Sequence, residues 1–198
     1  MKLVAVSQRV DTIEDYGEIR DALDEEWQKL FLKMDAVVAP VPNAPQVLKE
    51  FLSRLQPDAI VLSGGNNPVS YGGSAPQRDW TDEILIRYAI KHNVPLLGVC
   101  RGMQSVALYF GGALKKIEGH VAVRHEINGK TEREVNSYHA YAVDLLGENI
   151  RAVSWAKDGT VEEICHETHC IYGIMWHPER VNGFLQEDID FMKQKLRL

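Results

Sequence analysis

Cys100 lies in Pro95-Leu96-Leu97-Gly98-Val99-Cys100-Arg101-Gly102-Met103-Gln104, where a short apolar run meets helical spacing carried on by Ala107 and Leu108. Gly98 and Gly102 stand two residues away on either side. That is the Gly-x-nucleophile-x-Gly spacing of a strand–turn–helix elbow, with cysteine in place of serine. Such a turn is tight, and the backbone around it needs residues with little or no side chain. A cysteine at a helix N-terminus faces the positive end of the helix dipole, which favours the thiolate, the nucleophilic form. The competing reading is a small buried hydrophobe at a strand end, common for free cysteine.

A cysteine nucleophile needs a partner that takes and returns protons, usually histidine. Among seven histidines, His177 stands at the end of an apolar run, in Gly173-Ile174-Met175-Trp176-His177-Pro178-Glu179. Residues two apart in extended backbone project to one side, so Glu179 can reach the imidazole, and Pro178 stiffens the link. Cys100, His177 and Glu179 are therefore the candidate nucleophile, base and orienting carboxylate. A second cluster, Cys165-His166-Glu167-Thr168-His169-Cys170, holds four possible zinc ligands in six residues. It falls at the tip of a predicted hairpin, where adjacent side chains diverge. Structural zinc usually draws on two separated ligand pairs, so no metal is expected.

These residues need a scaffold, and the hydropathy pattern describes one. Leu3–Ser7, Ala36–Ala39, Ala59–Ser63 and Leu96–Cys100 are short continuous apolar runs, suited to strands buried on both faces. Between them, helical spacing predicts helices over Glu18–Met34, Pro45–Leu55 and Asp79–Asn93, the last with Asp79, Thr81 and Asp82 as cap candidates. After Gly112 the predicted strands are Leu114–Glu118, Val121–Ile127, Glu132–Asn136, Ala140–Val143, Arg151–Trp155, Val161–His166 and Ile171–Trp176. Turn signals separate them, and a helix over Phe184–Leu196 closes the chain. The expected fold is α/β: a mostly parallel, doubly wound sheet with helices on both faces, plus antiparallel hairpins in the second half. One domain over residues 1–198 is expected.

The chain has 198 residues, 22 Lys+Arg against 28 Asp+Glu, a net charge of −6 and 45% apolar residues. That composition is globular, and the length suffices for a full core. The acidic balance argues against a nucleic-acid partner. No apolar run reaches the length of a membrane span. Three cysteines are not a disulfide framework, and the first residues read as a strand rather than a signal peptide, so a cytoplasmic protein is expected.

Taken together, the segments Leu62-Ser63-Gly64-Gly65-Asn66, Gly98-Val99-Cys100-Arg101-Gly102-Met103-Gln104, Val135-Asn136-Ser137-Tyr138-His139 and Trp176-His177-Pro178-Glu179 resemble, in order and spacing, the class I glutamine amidotransferases and their γ-glutamyl hydrolase relatives. The resemblance spans essentially the whole chain. It implies a γ-glutamyl thioester on Cys100, proton transfer by His177 and an orienting role for Glu179. Backbone N–H groups of Gly65 and Arg101 would form the oxyanion hole, with Asn66 beside it. Gln104, one turn beyond Cys100, would bind the amino-acid end of the substrate, with backbone groups of Ser137 and Tyr138. His139 would support the site or serve the fold.

The resemblance implies no cofactor and a small-molecule γ-glutamyl substrate. The motifs look more like the hydrolase branch, and a nucleotide-linked leaving group is one expectation within it. The alternatives are a glutaminase feeding ammonia to a separate synthase, a γ-glutamyl-γ-aminobutyrate-type hydrolase, and a binding or regulatory module that has kept the fold and lost catalysis. No Gly-x-x-x-x-Gly-Lys-[Ser/Thr] loop for ATP is present. A diphosphate would need cationic partners, for which Arg9, Arg78, Arg101 and Arg124 are candidates. The segment 59–77 is expected to cover the substrate and set leaving-group specificity.

Overall fold

Val4, Ala5 and Val6 are completely buried in the computed structural model, which describes residues 1–198, as a strand covered on both faces requires. They belong to β1 (Lys2–Ser7), followed by β2 (Arg9–Ile13), β3 (Glu18–Ala22), α1 (Glu26–Leu32), β4 (Ala36–Val41) and α2 (Pro45–Leu55). Next come β5 (Ala59–Leu62), α3 (Pro76–His92), β6 (Leu96–Val99) and α4 (Arg101–Tyr109). The second half contains β7 (Ala113–Lys116), β8 (Val121–Gly129), β9 (Arg133–Tyr138), β10 (Tyr141–Leu145), β11 (Ile150–Ala156), β12 (Val161–His166), β13 (Ile171–Ile174) and α5 (Gln186–Leu196).

Nine strands form one sheet in the order β4-β1-β5-β6-β13-β12-β11-β8-β9. The strands from β4 to β13 are parallel to their neighbours, and those from β13 to β9 are antiparallel. The winding reverses at β1, with β4 on one side and β5 on the other. Right-handed crossovers then place α1 on one face and α2 and α3 on the other. The α/β architecture read from the sequence is the one observed. A cluster of 38 buried hydrophobic residues runs the length of the sheet and includes Leu62, Val99 and Ile174, the last residues of β5, β6 and β13.

Three expectations need correction. Residues 18–22 are not helical: β3 pairs antiparallel with β2, Ile19 opposite Thr12, through a turn in which Gly17 takes a φ of 70°. Ile19 shows why the spacing misled, because it is 63% exposed and packs into no core; only Trp27, Leu30 and Phe31 form a buried helical stripe. Helix α3 starts at Pro76, a residue pre-set for the first helical position, so Asp79, Thr81 and Asp82 are inside the helix rather than at its cap. Helix α5 starts at Gln186, because Phe184 has a φ of 53°.

Candidate active site

Strands β5, β6 and β13 run side by side and parallel, so all three C-terminal ends open on one edge of the sheet. That edge is where open α/β sheets carry their ligands. Cys100 follows β6 directly at φ 51° and ψ −105°, a conformation that L-residues rarely adopt, and its N–H is held by the Ile174 carbonyl at 2.7 Å. The flanking glycines explain how the turn closes. A Cβ on Gly98 would lie 2.5 Å from the Gly102 backbone, and one on Gly102 would collide with the Leu62 carbonyl. The Cys100 sulfur is thus presented at the N-terminus of α4 from a strained, tightly backed turn.

His177 leaves the sheet just beyond β13, in register with the end of β6. Its Nδ1 is 2.6 Å from Glu179 Oε1, and both side chains are buried. Burial alone would lower the pKa of the imidazole. The charges of Glu179 and Cys100, with their hydrogen bonds to the ring, together outweigh it, so that the pKa is raised to about 9. The ring is thus biased towards its protonated form, and its side chain hydrogen-bonds with that of Cys100. Its backbone is pinned twice by Asn136, which accepts the His177 N–H at 2.7 Å and donates to the His177 carbonyl at 2.9 Å. Gly64 lies against the ring, since a Cβ there would come within 2.6 Å of Cε1.

The loop after β5 is held by a residue whose role the sequence did not reveal. Arg78 is fully buried in the first turns of α3 and donates to the carbonyls of Ser63 at 2.5 Å, Gly64 at 2.9 Å and Gly65 at 3.1 Å. Burial and the neighbouring Arg9 push its pKa down to about 9, still above neutral pH, so it remains charged. With those carbonyls turned inward, Gly65 sits at φ 87° and its N–H donates to nothing in the protein. The Arg101 N–H, at the first position of α4, is equally free. The Arg101 guanidinium is buried and paired with Asp79 and Asp82, the two acids read as caps.

The other expected site residues are placed as follows. Asn66 accepts the Val10 N–H at 2.8 Å and donates to the Val10 carbonyl at 2.9 Å, so its amide ties the loop to β2. Gln104 is buried and donates to the Tyr141 carbonyl at 2.9 Å. Ser137 donates its hydroxyl to the His120 carbonyl at 2.7 Å. Tyr138 meets the His177 ring edge-on, with centroids 5.6 Å apart. His139 is buried and turned away, toward Tyr141 and Glu162. Of the four arginines considered for phosphate, Arg78 and Arg101 are buried in protein contacts and Arg124 pairs with Glu134 at 2.8 Å. Arg9, paired with Asp11 at 2.7 Å, lines a cleft of about 270 Å³ beside Gly64, Gly65 and Glu179, and Arg180, not foreseen, lines it too, with Asp11 and Asp24 on the same wall. At the β12–β13 tip, His166 Nδ1 accepts the N–H groups of Thr168 and His169, both at 3.1 Å.

The sequence matches the family model of glutamine amidotransferase class-I over residues 13–195. It is 33% identical over 195 residues to the γ-glutamyl-CDP-amidate hydrolase of Campylobacter jejuni subsp. jejuni serotype O:2, covering 96% of each chain. It is 24% identical to the γ-glutamyl-γ-aminobutyrate hydrolase of Escherichia coli O157:H7, covering 82% of this chain and 80% of the relative. A solved glutamine amidotransferase from Thermotoga maritima has the same fold, with a TM-score of 0.67 at 15% identity, covering 99% of this chain and 84% of the other. The chain is an enzyme of the class I glutamine amidotransferase family.

Proposed function

We propose that residues 1–198 act as one cytoplasmic catalytic unit that hydrolyses a γ-glutamyl amide through a thioester on Cys100. The substrate is γ-glutamyl-CDP-amidate, and the products are glutamate and cytidine diphosphoramidate, used to decorate capsular polysaccharide. The observation that carries the chemistry is the convergence of the Cys100 sulfur, an imidazolium at His177 and two free N–H groups at one sheet edge. The relative that matches nearly the full length supports the substrate.

In the first half-reaction the sulfur attacks the γ-carbonyl carbon, and the carbonyl π pair moves onto oxygen. The N–H groups of Gly65 and Arg101 receive that charge. Collapse re-forms the carbonyl and breaks the C–N bond, while His177 hands its proton to the departing nitrogen. His177, now neutral, takes a proton from water as it attacks the thioester; glutamate leaves and the thiolate–imidazolium pair is restored. Glu179 stabilises the imidazolium and fixes which nitrogen faces the sulfur. Gln104 Oε1, left free because the amide nitrogen is donated to Tyr141, accepts from the α-ammonium of the glutamyl group. Asn66 shapes the loop through Val10, and backbone groups of Ser137 and Tyr138 face the amino-acid end. Arg9 and Arg180 supply charge for the diphosphate in the adjoining cleft.

Glutamate release from γ-glutamyl-CDP-amidate, glutamine and γ-glutamyl-γ-aminobutyrate, with Cys100→Ala as control, tests this reading. A preference of about 100-fold or more in kcat/KM for the nucleotide substrate, abolished in the variant, is the expected result. Preference for glutamine would overturn it in favour of an ammonia-supplying subunit for a separate synthase. Preference for γ-glutamyl-γ-aminobutyrate would leave the hydrolysis standing and overturn the leaving group.

A further inference from the structure

Away from Cys100, three imidazoles converge on one carboxylate oxygen. Glu162 Oε1 lies 3.4 Å from His120 Nδ1, 3.6 Å from His125 Nε2 and 3.3 Å from His139 Nε2. Glu162 is 0% exposed, and neither of its oxygens has a hydrogen-bond partner; the three facing nitrogens have none either. Buried polar atoms are seldom left so, because each costs on the order of 1–3 kcal/mol, more for a charge. Here five such atoms share one small volume.

The far sides of two rings show what the near sides present. His139 Nδ1 is 3.2 Å from the Tyr141 carbonyl, which can only accept, so Nδ1 carries a hydrogen and Nε2 is the nitrogen turned to Glu162. His120 Nε2 is 2.9 Å from Asp158 Oδ2, which in the same way leaves Nδ1 as the nitrogen facing inward. Ring nitrogens and a carboxylate oxygen turned on one another, without a hydrogen bond between them, call for a positive charge in their midst. A carboxylate or carbonyl behind the ring is the arrangement that orients metal-bound histidines. The spacing agrees: ligand atoms at about 2.0–2.2 Å around a tetrahedral ion are ~3.3–3.6 Å apart. The donor atoms of His120, His125 and Glu162 all lie within 4.8 Å of one another.

We propose that His120, His125 and Glu162 bind a divalent transition-metal ion, zinc fitting best, with His139 packed beside Glu162. A nitrogen-rich set with one carboxylate suits zinc among the available ions, and only His125 leaves an entry path, at 18% side-chain exposure. The ion joins the start of β8 to β12. Ser137 donates to the His120 carbonyl, and the Met175 N–H is held by the Glu162 carbonyl at 2.9 Å, two residues before His177. The ion is therefore a structural clamp beneath β9, whose Asn136 positions the His177 backbone.

Untagged protein, stripped with chelator and titrated with Zn²⁺ alone, tests the site without reference to substrate. Binding of one equivalent is expected, with Tm raised by about 5–10 °C at 100-fold excess over Kd. Cys165→Ser/Cys170→Ser should keep both responses, whereas Glu162→Gln should lose them. Should Glu162→Gln fail to fold, the wild-type Co²⁺ complex decides. Visible d–d bands without thiolate-to-cobalt charge transfer support the site. A thiolate band, loss of binding with the two cysteines, or no Tm response to Zn²⁺ overturns it in favour of a protonated histidine–carboxylate network.

Discussion

Glu179→Gln is the perturbation that best isolates how the site holds its proton. Glu179 is buried 2.6 Å from His177 Nδ1, so the substitution keeps shape and hydrogen-bonding reach while removing the charge. The imidazole stands at about 9 against an ordinary 6.5, which corresponds to roughly 3 kcal/mol in favour of the charged ring. Burial acts in the opposite direction, so Glu179 and Cys100 together supply more than that net amount. Without Glu179 only Cys100 opposes burial, and the ring falls below its wild-type value. In the proposed mechanism the imidazolium donates to the leaving nitrogen, so kcat/KM is lost as pH rises past the His177 pKa. Wild type should hold its plateau to pH about 9, and Glu179→Gln should lose activity at a clearly lower pH, with kcat at pH 7.5 reduced about 10- to 100-fold. The same raised pKa contributes folding stability that is full below about 6.5 and lost as pH rises through about 9. Urea denaturation at pH 6 and pH 9.5 should show that loss in wild type and a smaller one in the variant. An upper limb that stays near pH 9 in Glu179→Gln would refute the assignment of the proton to this pair.

Arg78→Lys keeps the charge but cannot serve three carbonyls at once; kcat should fall about 10- to 100-fold with KM little changed, and Tm should drop. An unchanged kcat would show that the Gly65 N–H does not depend on this clamp. Gly102→Ala drives a Cβ into the Leu62 carbonyl and should cost about 3 kcal/mol or more, read as a lowered urea midpoint or as insoluble protein; a wild-type midpoint would contradict the elbow's packing. Asn136→Ala removes both hydrogen bonds to the His177 backbone and should cost about 2–3 kcal/mol in stability, with kcat reduced more than KM is raised. Retention of full kcat would mean that β13 alone orients the histidine. Arg9→Ala should raise KM about 10-fold for a nucleotide-linked substrate and leave glutamine hydrolysis unaffected; equal effects on both would remove Arg9 from the leaving-group cleft.

What the chain states in sequence is what depends on neighbours along it. The elbow is legible because Gly98, Cys100 and Gly102 lie within five residues, and the histidine–carboxylate pair because His177 and Glu179 are two apart. Buried parallel strands are legible because they are continuous apolar runs, and β12 and α2 have the predicted bounds. Residues 18–22 misled because Ile19 and Leu23 have helical spacing by chance, while pairing with β2 satisfies the backbone of that segment. Only the tertiary structure brings Arg78 to carbonyls 13 to 15 residues upstream, Asn136 to a histidine 41 residues away, and three histidines to Glu162. The physical reason is that a nucleophile elbow is a local backbone shape, which side-chain size and φ preference prescribe. A buried hydrogen bond or charge pair depends instead on which strands become neighbours, and that is decided by burial of the whole core.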